Sequence, residues 1–260
     1  MYTPALLSSD VTLLPMSPAP STPSSPTRVA LVTGGSRGIG RATSEALLER
    51  GFQVFFCGRS PDVLEDAQQQ LFIRYPGKVF SRLCDVRSQS AVEELVAWVE
   101  EESGRLDVLV NNAGLGHFGP IDELSGDDFR EVIETNLLGA FYAIHAAAPI
   151  MKRQGEGWIF NIASLAAKNP FAGGSAYNAS KFGMVGMSEA AMLDLRHEGI
   201  RITAICPGSV DTDFGGGQMR GSDWRLAPED IAKLVTDLLD FPARALPSLI
   251  EIRPTRPPKK

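Results

Sequence analysis

The chain has 260 residues, 43% apolar and 22% charged, which is ordinary for a globular protein and enough for one large core. Its 25 Lys plus Arg against 31 Asp plus Glu give a formal net charge of -6, so no general attraction to nucleic acid is expected. No run approaches the roughly 18 uninterrupted apolar residues of a membrane-spanning helix, and no membrane partner is expected either.

Residues 1–27 hold six prolines, ten Ser or Thr and one charged side chain, Asp10. That composition cannot bury enough apolar surface to offset its ordering entropy, and it predicts a mobile leader. The leader lacks the basic start and continuous apolar segment of a secretory signal, and Arg28 is the first cation in the chain, so a cytoplasmic location is expected. Cys57, Cys84 and Cys206 form an odd set without CxxC spacing, and His117, His145 and His197 are scattered, so neither disulfides nor a metal site is expected. Each thiol is expected to pack as a small hydrophobe.

From Arg28 onward, short β-branched or aromatic runs near 28–33, 53–57, 78–84 and 106–111 alternate with amphipathic stretches. The stretches carry helical punctuation: Arg41 to Arg50 ends at Gly51, Pro61 to Tyr75 follows Ser60, and Gln89 to Glu102 follows Ser88. Strands at about 157–163, 200–206 and 248–252 continue the order, with helices of roughly 126–152, 176–198 and 228–239 between them. This wiring predicts an α/β, doubly wound sheet of about seven parallel strands flanked by helices on both faces, in one domain of about 28–253. The basic, proline-rich tail of residues 254–260 is expected to be extended and to stay in solvent.

The first strand runs into Thr33-Gly34-Gly35-Ser36-Arg37-Gly38-Ile39-Gly40 and then into a helix. Glycines placed there let backbone approach a pyrophosphate at a helix N-terminus, as in a dinucleotide-binding Rossmann fold. Where the second strand ends, a cofactor with an unphosphorylated ribose would call for a carboxylate, but the sequence is Cys57-Gly58-Arg59-Ser60. Arg59, with Arg37, offers a 2'-phosphate two guanidiniums, which favours NADP(H) over NAD; Asp62, at a helix start, is the rival acid. At the end of the third strand, Asp85 is suited to accept the adenine amino hydrogens and Val86 to cover the ring. A turn acid and a core valine are the alternative.

Several motifs in order make the chain resemble the compact, single-domain short-chain dehydrogenase/reductase family over nearly all of residues 28–252. They are Thr33-Gly34-x-x-x-Gly38-x-Gly40, Asn111-Asn112-Ala113-Gly114, Asn136, Ser164, Tyr177-x-x-x-Lys181 and Pro207-Gly208. The resemblance implies an NADP(H)-dependent oxidoreductase that interconverts a carbonyl and a secondary alcohol with a Ser164-Tyr177-Lys181-Asn136 set.

Residue chemistry agrees with it. Tyr177 and Lys181, four apart, share a helix face, where an ammonium lowers a phenol toward proton exchange. Ser164 ends a parallel strand, where its hydroxyl can donate to a substrate oxygen. The resemblance further implies an irregularity in the long helix at Asn136 that holds a relay water, and a second task for Lys181 on the nicotinamide ribose. It also implies cofactor contacts from Asn112, Ala113 and Gly114, and from Pro207, Gly208, Val210 and Thr212.

The pocket rim is expected from Leu115 to Pro120, Leu165 to Gly174 and Val210 to Arg225, with Gly215-Gly216-Gly217 as a mobile lid. Phe118, Phe171 and Phe214 suggest an apolar wall around a small-molecule substrate; His117 could bond a polar substrate group, but a lone loop histidine is more often uninvolved. A 3-oxoacyl-carrier-protein reductase is the alternative activity. A non-catalytic NADP-binding protein would call for loss of Ser164, Tyr177 or Lys181, and all three are present. Small residues on the long helices, Ala143, Ala146, Ala147, Ala190 and Ala191, predict a homodimer or homotetramer.

Overall fold

The continuous apolar runs fold as strands buried on both faces, as parallel sheets require. The computed structural model describes residues 26–214 and 223–258; the leader expected over residues 1–27, all but its last two residues, and the lid expected at Gly215 to Gly217 lie outside them. In β1 (Val29–Thr33) all five residues are buried. Val29 and Leu31 enter one core and Ala30 and Val32 the other, as the two-residue strand period dictates.

The elements continue as α1 (Gly38–Glu49), β2 (Gln53–Gly58), α2 (Pro61–Arg74), β3 (Val79–Leu83), α3 (Gln89–Ser103) and β4 (Val108–Asn111). After them come α4 (Gly126–Ile133), α5 (Gly139–Gln154), β5 (Gly157–Ile162), α6 (Ser175–Leu195), β6 (Ile200–Pro207), α7 (Pro228–Leu238) and β7 (Leu249–Ile252). Ser88 and Ser125 cap α3 and α4, each side chain accepting a first-turn N–H.

The sheet is parallel, in the order β3-β2-β1-β4-β5-β6-β7. From β1 the chain first winds outward through β2 and β3, then returns to β4 on the other side of β1. That reversal opens a crevice at the carboxyl ends of β1 and β4, the place where doubly wound sheets bind ligands.

Three sequence expectations need correction. The helix of 126–152 is not continuous, and the irregularity that the resemblance implies at Asn136 is present: a π-turn at Glu134–Leu138, centred on Asn136, separates α4 from α5. Ala143 and Ala147 are fully buried in the core, so they offer nothing to a symmetry mate. Ala190 and Ala191 instead border an apolar groove between α5 and α6, beside Phe141 and Met187. The tail is not wholly in solvent, because Pro254 would be 2.8 Å from a Cβ at Gly208, and Pro254 and Pro257 reach the crevice wall.

Candidate active site

A crevice of about 960 Å³ follows the carboxyl ends of the strands. Its glycine turn requires glycine for stated reasons. Gly34 has φ +64°, where an L side chain is strained, and a Cβ at Gly40 would lie 2.2 Å from the Gly34 carbonyl oxygen. Gly40 thus serves packing and is not on the wall, whereas Gly34, Ser36, Arg37, Gly38 and Ile39 are. Asn112 ties the turn to β4 by donating through Nδ2 to the carbonyls of Thr33 and Gly34, both at 3.0 Å. Ala113 N donates to Thr33 Oγ1 at 3.1 Å.

At the β2 end, Gly58 leaves space beside Ser36, whose Oγ would be 3.1 Å from an added Cβ. Arg59 lines the crevice and Asp62, in the first turn of α2, does not. Arg59 pairs with Glu131 at 3.4 Å, and Arg37 with Asp213 at 2.7 Å. Thr212 packs on the same turn, its Cγ2 3.2 Å from a Cβ at Gly38.

Asp85 is the clearest departure from expectation. Arg87 donates to its carboxylate from Nε at 2.9 Å and Nη2 at 2.6 Å, and holds it below the usual carboxylate range. The turn-acid alternative fits this geometry, and Cys84 and Val86, not Asp85, form the wall. His117 is off the wall, in line with an uninvolved loop histidine, and its Nε2 lies 2.9 Å from Glu131 on α4. Sequence reasoning missed Glu131, which joins Arg59, Arg87 and His117.

At the far end, Ser164, Tyr177 and Lys181 share the wall. The Ser164 hydroxyl bonds the Tyr177 phenol and also accepts from Ala166 N at 3.1 Å. Lys181 Nζ lies 5.7 Å from the Tyr177 ring centroid and donates to the Ile162 carbonyl at 2.8 Å. The expectation that the ammonium draws the phenol down is corrected. Burial pushes Tyr177 above its ordinary value, against the opposing Ser164 bond, and burial brings Lys181 down to about 8.

Asn136 is fully buried and off the wall. Its Oδ1 accepts from Leu115 N at 2.8 Å, and its Nδ2 donates to Leu115 O at 2.9 Å and to Ser180 Oγ at 3.0 Å. The side chain is therefore committed to fixing the loop after β4 and the residue next to Lys181. Its neighbour Thr135 was not foreseen. Its hydroxyl is buried on the crevice wall without a protein partner. The position next to Asn136 in the irregular turn was the one available signal. Pro207, Gly208, Val210, Thr212 and Gly114 all line the crevice.

A dinucleotide fits these residues. The glycine turn leaves a backbone cradle, guanidiniums stand where a phosphate would need them, and the orphan Thr135 hydroxyl offers a hydrogen bond. Among the described residues no cluster of His, Cys, Asp or Glu suits a metal ion, and no helix is long and apolar enough to cross a membrane.

Residues 28–221 match the family model described as short chain dehydrogenase. An uncharacterized oxidoreductase of Staphylococcus saprophyticus is 33% identical over 87% of this chain and 97% of its own length. A putative ketoacyl reductase of Streptomyces coelicolor is 39% identical over 80% of this chain and 81% of its own. Among solved structures, an alcohol dehydrogenase from the archaeon Thermococcus sibiricus, complexed with 5-hydroxy-NADP, superposes with a TM-score of 0.84. It is 32% identical and covers 90% of this chain and 100% of its own.

Proposed function

The chain belongs to the short-chain dehydrogenase family of oxidoreductases, and from that premise we propose that it interconverts a carbonyl and a secondary alcohol with NADP(H). The observation that carries the reading is the meeting of Ser164, Tyr177 and Lys181 on one wall of a crevice whose other end holds the glycine turn, Arg37 and Arg59. The NADP-type ligand of the Thermococcus sibiricus enzyme and the absence of a carboxylate at Gly58 support the choice of cofactor.

NADPH, when bound, would supply the hydride for the carbonyl carbon. Ser164 Oγ–H donates to the carbonyl oxygen as charge develops on it, and the Tyr177 phenol gives up its proton to the same oxygen. The Lys181 ammonium bonds the nicotinamide ribose. Asn136 acts through others, by holding Leu115 and Ser180. Arg37 and Arg59 exchange their carboxylate partners for the 2'-phosphate, and Gly34, Ser36, Gly38, Ile39 and Gly40 form or support the pyrophosphate cradle. Val86, with Thr135, covers the adenine end. Asn112, Ala113 and Gly114 border the nicotinamide ribose, and Pro207, Gly208, Val210 and Thr212 hold the carboxamide. The catalytic unit is residues 28–253, and its free, buried thiols fit a reducing cytoplasm.

The test is consumption of NADPH against NADH with ketones, aldehydes, quinones and an acetoacetyl thioester. Turnover with NADPH supports the reading; tight NADPH binding without turnover on any acceptor leaves a binding protein. A preference for the thioester favours the acyl-carrier alternative, which the likeness to the putative ketoacyl reductase motivates.

Lys181 also sets a pH dependence. With its pKa down to about 8, the ammonium is lost as pH rises through that value. NADPH affinity measured by fluorescence titration is therefore expected to weaken above about pH 8 and to stay flat there in Lys181→Met. A wild-type profile that is flat across this range counts against the ribose contact. The groove between α5 and α6 further supports a homodimer or homotetramer, and sedimentation as a monomer alone would remove that proposal.

A further inference from the structure

Three phenylalanine rings stand around one reactive side chain without being covered. Phe118 and Phe171 are 48% exposed and Phe214 is 41% exposed, and all three line the crevice. Phe118 meets the Tyr177 ring at a centroid distance of 5.7 Å, and Phe214 meets it at 5.5 Å. Phe171 extends the same surface, 5.9 Å from Phe118. The rings come from the segments after β4, β5 and β6, and β5 lies between the other two strands. Phe118 and Phe214 therefore reach the phenol from opposite flanks.

Small neighbours seat these rings. A Cβ at Gly116 would lie 2.5 Å from Phe118 Cζ, and one at Gly174 would lie 2.5 Å from Phe171 Cε2. Gly119 N donates to the Gly173 carbonyl at 2.9 Å, which fastens the two loops together. The cations on this part of the wall already have acidic partners: Arg225 lies 3.6 Å from Asp211 and Arg253 lies 2.6 Å from Glu251. Among the described residues the frame thus offers flat apolar faces, and these two guanidiniums are paired with carboxylates.

We propose that Phe118, Phe171 and Phe214 select a ketone or secondary alcohol carried on an apolar ring system, aromatic or alicyclic. Small carbonyl compounds, anionic keto acids and linear acyl thioesters are disfavoured. A rigid flat ring covers several aromatic faces at once and loses little rotamer freedom on binding. A linear chain loses more freedom and has no flat face to offer. This rests on the reading of Tyr177 as the proton donor, because the frame is built around that residue.

The test separates binding from chemistry. Tyr177→Phe keeps the ring and removes the proton donor, so calorimetry on that variant saturated with NADPH reads binding alone. Affinity is expected to rise about tenfold from acetone to cyclohexanone and again to α-tetralone. In the same background, Phe118→Ala and Phe214→Ala are each expected to weaken α-tetralone about tenfold and to leave acetone little changed. Gly116→Ala, which displaces the Phe118 ring without deleting it, acts in the same direction. If an alanine variant fails to fold by circular dichroism, Phe118→Leu, which keeps most of the volume but loses the flat face, must show the same order.

Pyruvate or an acetoacetyl thioester binding as tightly as α-tetralone overturns the proposal, as does α-tetralone affinity that ignores the ring truncations. Should α-tetralone bind as expected while the wild-type protein with NADPH leaves it unreduced, the frame stands and the reductase reading fails.

Discussion

Tyr177→Phe is expected to cut carbonyl reduction by about 10²- to 10⁴-fold while NADPH affinity stays nearly unchanged. The substitution removes one oxygen and keeps a ring that Phe118 and Phe214 still contact. What is lost is the proton source beside the Ser164 hydroxyl, a loss of about 3 to 5 kcal/mol of transition-state stabilisation. Steady-state rates with a good acceptor, together with a fluorescence titration of NADPH, separate the two quantities. Turnover retained within a few fold would remove Tyr177 from the chemistry and return the role to another donor on the same wall.

Arg59→Ala is expected to weaken NADPH binding by about 10- to 100-fold and to leave NADH little changed, because a charge-assisted bond to a phosphate is lost with one cofactor only. In the structure Arg59 is held by Glu131 at 3.4 Å and Arg37 by Asp213 at 2.7 Å, and both arginines are largely exposed. Such exposed pairs contribute little to stability, so their arginines are free to change partners at small cost. Arg37→Ala is expected to act in the same direction, and the double variant to lose most of the preference. An equal loss for both cofactors would show that Arg59 supports the crevice in some general way and does not read the 2'-phosphate.

Much of this arrangement is legible in the sequence because local rules and tertiary need agree there. The runs that become β1, β2 and β5 are apolar on both faces, and glycines fall at the one turn where backbone must stand open. Tyr177 and Lys181 share a helix face by spacing alone. Legibility ends where a side chain answers to a distant partner. Nothing near His117 signals that Glu131 on α4 will meet its ring nitrogen, whereas Asp85, which Arg87 engages at both oxygens from two residues on, is open to the turn-acid alternative. The π-turn at Asn136 is invisible to a 3.6-residue period, and burial, which acts on Tyr177 and Lys181 more strongly than their mutual contact, is a property of the assembled crevice.

The reversal of winding at β1 also bears on how the molecule reaches this state. Val29 pairs with Gln53 across 24 residues, whereas on its other side Ala30 pairs with Val108 across 78. Closing the longer loop costs about 1 kcal/mol more in chain entropy than closing the shorter one. The β1–β4 seam that forms the crevice floor is thus expected among the later contacts to assemble, after the β1–β2–β3 half has found its register. A ligand that recognises only the joined halves favours that state by mass action, so the equilibrium share of half-joined chains is expected to fall as its concentration rises.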